Sequence, residues 1–162
     1  MTIDELIARE AIRDTMAQYN TSGDRLRVDA FADCFTEDGV IESERTPGHF
    51  AFRYEGREGI RAWQQRWLMR DDGPETAADT VHGATFVRHH LSTSKIDLTG
   101  PDSAQVRTYW AAWTDIGPDH AGYYLDSFRR VGDRWLIARR RVRLDWSAPG
   151  SLFVSAIVNS AG

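Results

Sequence analysis

The chain has one cysteine, Cys34, among its 162 residues. No disulfide can form within it, and its stability has to come from packing. Cys34 lies among apolar residues at helical spacing and reads as a small buried hydrophobe. No run of about 18 apolar residues occurs, so no segment is expected to span a membrane. The opening Met1-Thr2-Ile3-Asp4-Glu5 lacks the basic-then-apolar pattern of a signal peptide, and a cytoplasmic setting is the expectation. Charge of one sign is missing too. The 20 Lys and Arg against 24 Asp and Glu leave a net charge of −4, which gives nucleic acid and anionic membranes no reason to bind. The glycines fall at turns and form no phosphate cradle. No Gly-x-Ser-x-Gly elbow is present. Nucleotide chemistry and serine hydrolysis are therefore disfavoured. His82, His89 and His90 crowd one segment, but adjacent strand histidines diverge and no zinc or iron spacing accompanies them. Neither a metal nor a cofactor is expected.

What the chain does have is rings: six Trp, seven Phe and five Tyr. Rings of this kind fill cores and line pockets for flat, hydrophobic ligands. At 162 residues the chain is most simply one domain over 1–162, with a C-terminal tail from about 147. Thr2 followed three residues later by Glu5 is a capping-box pattern. With Leu6, Ile7, Ile12, Met16 and Tyr19 it predicts a helix over about 3–19. Val28, Phe31, Ala32 and Phe35 predict a second helix over about 28–35. Thr36-Glu37-Asp38-Gly39 reads as a turn before a short strand at Val40-Ile41-Glu42. Residues 44–56 read as a loop or irregular hairpin. Ile60, Trp63, Trp67 and Leu68 predict a third helix over about 57–69, followed by an acidic loop over about 70–79. The second half changes character. Runs at about 82–98, 104–115, 121–131 and 134–146 are β-branched and aromatic, and turn signals such as Gly117-Pro118-Asp119 separate them. Helices first and an antiparallel meander second predict an α+β domain with helices over one face of a curved sheet.

In this order the segments resemble the SnoaL-like group of the NTF2-like superfamily. The resemblance is carried by Tyr19 and Asp24 at the first helix end, Phe31-Ala32-Asp33-Cys34-Phe35 through Val40, and Gly56-Arg57-Glu58-Gly59-Ile60. Val87-Arg88-His89-His90-Leu91-Ser92-Thr93 and the hairpin from Tyr124 to Ile137 complete it. It spans about 3–146. It implies a cone of three N-terminal helices on a curved, mainly antiparallel sheet, dimeric through the outer sheet face. Members include polyketide cyclases, dehydratases, a dehydrochlorinase and steroid isomerase relatives. Others are noncatalytic binding modules or structural small subunits of ring-hydroxylating dioxygenases, so fold alone proves no activity.

The resemblance implies Asp24 and His90 as a proton-transfer pair, Tyr19 as a ligand of substrate oxygen, and Arg143 as a late-strand arginine of the site. Read from residue chemistry alone, Asp24 also suits a cap, His90 a sheet hydrogen bond, and Tyr19 the core. Regular alternation puts Arg143 with Arg139 and Arg141 on one face, and only a bulge would turn it inward. Tyr109 and Trp113 are placed in the aromatic wall of the pocket. His120 falls in a turn signal and reads as solvated, and His82 is left unassigned. The expectation is a cofactor-independent lyase or isomerase, of dehydratase or cyclase type. It would act on a hydrophobic, cyclic, oxygenated small molecule, and the protein would form a homodimer.

Overall fold

The Thr2 hydroxyl accepts the Glu5 amide (3.2 Å) while the Glu5 carboxylate accepts the Thr2 amide (2.8 Å), so the expected capping box starts the first helix. In this computed structural model, which describes residues 1–44, 51–68 and 84–152, that helix is α1, Ile3–Gly23. It runs a turn past the expected end, and Asp24 is its C-cap. Only the stripe from Ile12 onward is buried; Ile3, Leu6 and Ile7 are exposed. The short α2, Val28–Ala32, follows a turn in which Leu26 takes φ 50°, a left-handed conformation that costs a non-glycine residue about 1–2 kcal/mol.

The sheet has β1 (Phe35–Ser43), β2 (Phe52–Glu55), β3 (Arg88–Gly100), β4 (Ser103–Thr114), β5 (Gly117–Val131) and β6 (Arg134–Ser147). Helix α3, Arg57–Leu68, sits between β2 and β3 in sequence. Strand order is β2-β1-β6-β5-β4-β3, antiparallel except where β1 runs parallel to β6. The result is an α+β fold with the helices packed on an open, mixed, six-stranded sheet. Among the described residues no helix is long and apolar enough to cross a membrane.

The Thr36-Glu37-Asp38-Gly39 turn signal is absorbed inside β1. Phe35 pairs with Ile137 and Val40 with Arg139, so the register jumps there and the turn residues form an irregular bulge within the strand. The 44–56 segment does contain a strand, β2, paired antiparallel to β1. The acidic loop expected over about 70–79, His82, and the tail beyond Leu152 lie outside the described residues.

The core lies between the helices and the inner sheet face. It includes Ile12, Met16, Phe31, Cys34, Phe35, Ile41, Ile60 and Phe128. Burial pushes the Cys34 thiol up to about 12, partly offset by nearby Arg140. Trp63 of α3 stacks on Tyr54 (5.0 Å) and Phe52 (5.5 Å) of β2. Three arginines on the outer face share one carboxylate. Glu42 accepts from Arg139 (2.7 Å), Arg141 (3.2 Å) and Arg53. Burial raises the Glu42 carboxyl, but those hydrogen bonds outweigh it and hold the group below its ordinary range.

Gly122 of β5 sits where β6 approaches most closely. A Cβ there would lie 1.9 Å from the Arg143 carbonyl oxygen and 3.0 Å from the Trp110 ring. Neither neighbour is the loose end of a flexible side chain, so glycine is required by space. Gly122→Ala is expected to destabilise the fold by about 1–3 kcal/mol, read as a lower urea midpoint at unchanged m-value. A midpoint equal to wild type would show that the strands can part at no cost.

Candidate functional site

Alternation along β3 decides which histidine meets Asp24. His89 pairs with Ala112, a fully buried inner residue, whereas His90 pairs with Ala111 on the opposite face. His89 is accordingly the inward imidazole. Its Nδ1 lies 2.6 Å from Asp24 Oδ1, and its backbone N–H donates to Asp24 Oδ2 at 2.9 Å. Both side chains are largely withdrawn from solvent, His89 at 18% and Asp24 at 7% exposure. His90 is exposed beside Trp113 (6.3 Å between centroids). The resemblance implied His90 as the partner of Asp24, but the structure sets His89 against Asp24, and one residue along a strand inverts the facing.

A second carboxylate–imidazole pair faces the first. His120 Nδ1 lies 2.7 Å from Asp119 Oδ1, with His120 3% exposed and Asp119 fully buried. Two consecutive strand residues point inward because β5 is bulged: Ala112 pairs with His120 and Trp113 with Pro118, leaving Asp119 as the extra residue. The reading of His120 as a solvated turn residue is thus overturned. The turn ends earlier, at Gly117 with φ 91°, and Pro118-Asp119-His120 already belong to the strand. Asp119 also accepts from Thr114 (3.0 Å), the Leu152 amide (2.9 Å) and Ser151, tying the post-sheet segment to this imidazole. Burial raises its carboxyl, and the bonds from Ser151, Leu152, His120 and Thr114 more than offset that, so it lies below the ordinary carboxylate range.

The rings of His89 and His120 are 5.7 Å apart and nearly perpendicular. Trp110 lies against both, 5.7 Å from His89 and 5.5 Å from His120, and stacks on Tyr124 at 5.6 Å. Tyr109 and Trp113, expected in this wall, are 44% and 45% exposed on the outer face. β4 buries Val106, Thr108, Trp110 and Ala112 and turns the alternate residues outward, so the inner aromatic is Trp110.

The late-strand arginine is also re-aimed. Ser127 pairs with Arg139 and Phe128 with Ile137, so β6 gains an extra residue between them and its parity flips. The bulge turns Arg140 inward, not Arg143. Arg143 stays on the outer side and pairs with Glu44 at 2.6 Å. Arg140 is fully buried and bidentate on Asp126, at 2.9 and 2.6 Å. Its guanidinium carbon sits 4.0 Å from the Tyr19 ring centroid and 4.1 Å from that of Tyr124. Burial opposes charge on Arg140, yet Asp126 and the two tyrosines raise its affinity for the proton. Tyr19 itself is buried, packed against Phe31, Phe35 and Tyr124. Burial, partly countered by Arg140, lifts its hydroxyl to about 12, so it remains a donor at neutral pH. Among the described residues no three His, Cys, Asp or Glu side chains converge in a way that would hold a metal ion.

The SnoaL-like domain family matches residues 4–141. The chain belongs to that family. Its fold is shared with solved structures at low identity. Rv3472 of Mycobacterium tuberculosis, a protein of unknown function, is 21% identical with a TM-score of 0.73, over 97% of this chain and 90% of that one. A scytalone dehydratase-like protein of Novosphingobium aromaticivorans is 25% identical with a TM-score of 0.67, over 91% of each chain. A hexachlorocyclohexane dehydrochlorinase of Novosphingobium barchaimii is 15% identical with a TM-score of 0.68, over 91% of this chain and 92% of that one. No curated protein sequence matches.

Asp126 and Arg140 test the site's foundation. Asp126→Asn leaves a fully buried guanidinium without its counter-charge and should cost about 3–5 kcal/mol in urea unfolding. The double change Asp126→Leu with Arg140→Met should recover most of that loss, because it removes both charges together.

Proposed function

We propose that this SnoaL-like protein is a cofactor-independent lyase or isomerase of dehydratase type, acting on a hydrophobic, cyclic, oxygenated small molecule with His89 as the base. The carrying observation is the two-point hold of Asp24 on His89, at the ring nitrogen and the backbone amide. With Nδ1–H directed at the carboxylate, the basic lone pair of the neutral ring is on Nε2. The carboxylate then stabilises the imidazolium formed when Nε2 takes a proton.

His120, oriented in the same way by Asp119, supplies a second imidazole within one small molecule's reach. In a dehydration, His89 removes the proton from the carbon next to a carbonyl. The electron pair passes through an enolate into a new C=C bond, and the neighbouring C–O bond breaks. The departing hydroxyl takes a proton from protonated His120 and leaves as water. An isomerisation starts with the same proton removal and returns the proton at a different carbon. Tyr19, held by its packing against the Asp126-paired Arg140, is a donor suited to the developing enolate oxygen. The names of two structural relatives, scytalone dehydratase-like and hexachlorocyclohexane dehydrochlorinase, both describe eliminations and support a lyase.

The same reading includes a homodimer. The outer sheet face exposes Tyr109 at 44%, Trp113 at 45% and Trp146 at 49%, aromatic surface suited to a second copy of the chain. Light scattering should give twice the 18.4 kDa chain mass, and Trp113→Glu should give the monomer. A wild-type monomer would reject this assignment.

β-Hydroxy ketones, enones and cyclic polyketides, screened by mass spectrometry for loss of water and by proton exchange for isomerisation, test the chemistry. On a substrate so found, His89→Asn and Asp24→Asn should each lower kcat about 10²-fold or more. His90→Ala should stay within a few-fold of wild type. The reverse pattern would remove His89 from the role of base, and a screen with no turnover would leave a binding module.

A further inference from the structure

The Asn20 side chain is 6% exposed, and neither its Oδ1 nor its Nδ2 has a hydrogen-bond partner among the described residues. The indole N–H of Trp110, at 5% exposure, is likewise unpartnered. Buried polar groups are nearly always satisfied, so two such groups in one neighbourhood call for a reason. Their positions supply one. Asn20 lies one helical turn before Asp24 on α1, and its carbonyl accepts the Asp24 amide at 2.9 Å. Residues four apart share a helix face. Trp110 is 5.7 Å, ring to ring, from the His89 that Asp24 holds. The two unsatisfied groups therefore flank the Asp24–His89 pair from the helix side and the sheet side.

We propose that Asn20 and Trp110 are the specificity-determining residues of this site. Their N–H groups donate to a carbonyl oxygen of the ligand, and Asn20 Oδ1 accepts from a hydroxyl. The inference rests on the reading of this site as the substrate site and narrows the ligand to a hydroxy-carbonyl compound. A halogenated hydrocarbon donates no hydrogen bond and accepts only feebly, so it would leave all three atoms dry. Sites built to bond a ligand's oxygen discriminate strongly against analogues that lack it.

Two consequences can be measured without turnover. The first uses 1-tetralone and tetralin, which have the same bicyclic shape with and without a carbonyl oxygen. Neither carries a leaving group, so a failed elimination screen would count against the proposed chemistry and not against this assignment. Titration calorimetry should show wild type binding 1-tetralone at least ~10-fold more tightly than tetralin, and Asn20→Leu and Trp110→Phe should each erase most of that preference. Wild type without the preference, including failure to bind either probe, overturns the proposal. So does a preference that survives in both variants.

The second consequence concerns the empty protein. Asn20→Leu replaces an unsatisfied amide by an apolar group of similar shape, which is neutral or stabilising where the amide had no partner. Its Tm should equal or exceed that of wild type. A lower Tm would make Asn20 a structural residue and overturn its assignment.

Discussion

A strand offers alternate residues to its two faces, and a regular sheet can send no two neighbours into the same interior. This site exists because the sheet breaks that rule. The bulge in β5 sends both Asp119 and His120 inward, and the bulge in β6 shifts the inward parity from Ile137 to Arg140. Without the first there is no second imidazole opposite His89. Without the second, Arg140 would lie on the face opposite Ile137 and could not form its bidentate pair with Asp126. Bulges commonly re-aim side chains next to active sites, and here they decide the composition of the inner surface.

Those same irregularities mark the boundary of what the sequence discloses. The helices were legible because their signals are local: a capping box at Thr2, apolar spacing through Met16, and an entry at Gly56-Arg57. The four long strands were legible from composition, and the order of elements was enough to resemble the right family. Facing was not. Choosing between His89 and His90, or between Trp110 and its neighbours Tyr109 and Trp113, requires knowing strand register to a single residue. Register is set by packing across the sheet and leaves no local trace. For Arg143 the alternation argument did place it outside, and it was the extra residue near 138 that could not be seen. The Gly117-Pro118-Asp119 signal marked a real turn but placed it two residues late, which hid His120. Asp119-His120 carries one local clue, an acid directly before a histidine at the start of an aromatic-rich strand.

Charge is distributed by a consistent logic. On the outer face Arg53, Arg139 and Arg141 pair with Glu42 and Arg143 with Glu44, and partly exposed pairs of this kind contribute little to stability. The interior, by contrast, holds the fully buried Asp126–Arg140 pair, wedged between two tyrosine rings. Such a pair is expensive to desolvate and stabilises little in net terms, so its value is positional. It fixes Tyr19 and Tyr124 against each other, and Tyr124 in turn supports Trp110.

The contact between α1 and β3 has one more implication. Among the described strands β3 is outermost in the sheet, a position where backbone groups can pair with another chain. Asp24 occupies the His89 amide and Arg9 occupies the Ile96 carbonyl, so the helix screens this rim at two points. The carboxylate that holds the His89 ring thus also occupies a backbone donor on this rim of the sheet. Losing this one acid would take the same partner from the ring nitrogen of His89 and from a backbone donor of the sheet's rim.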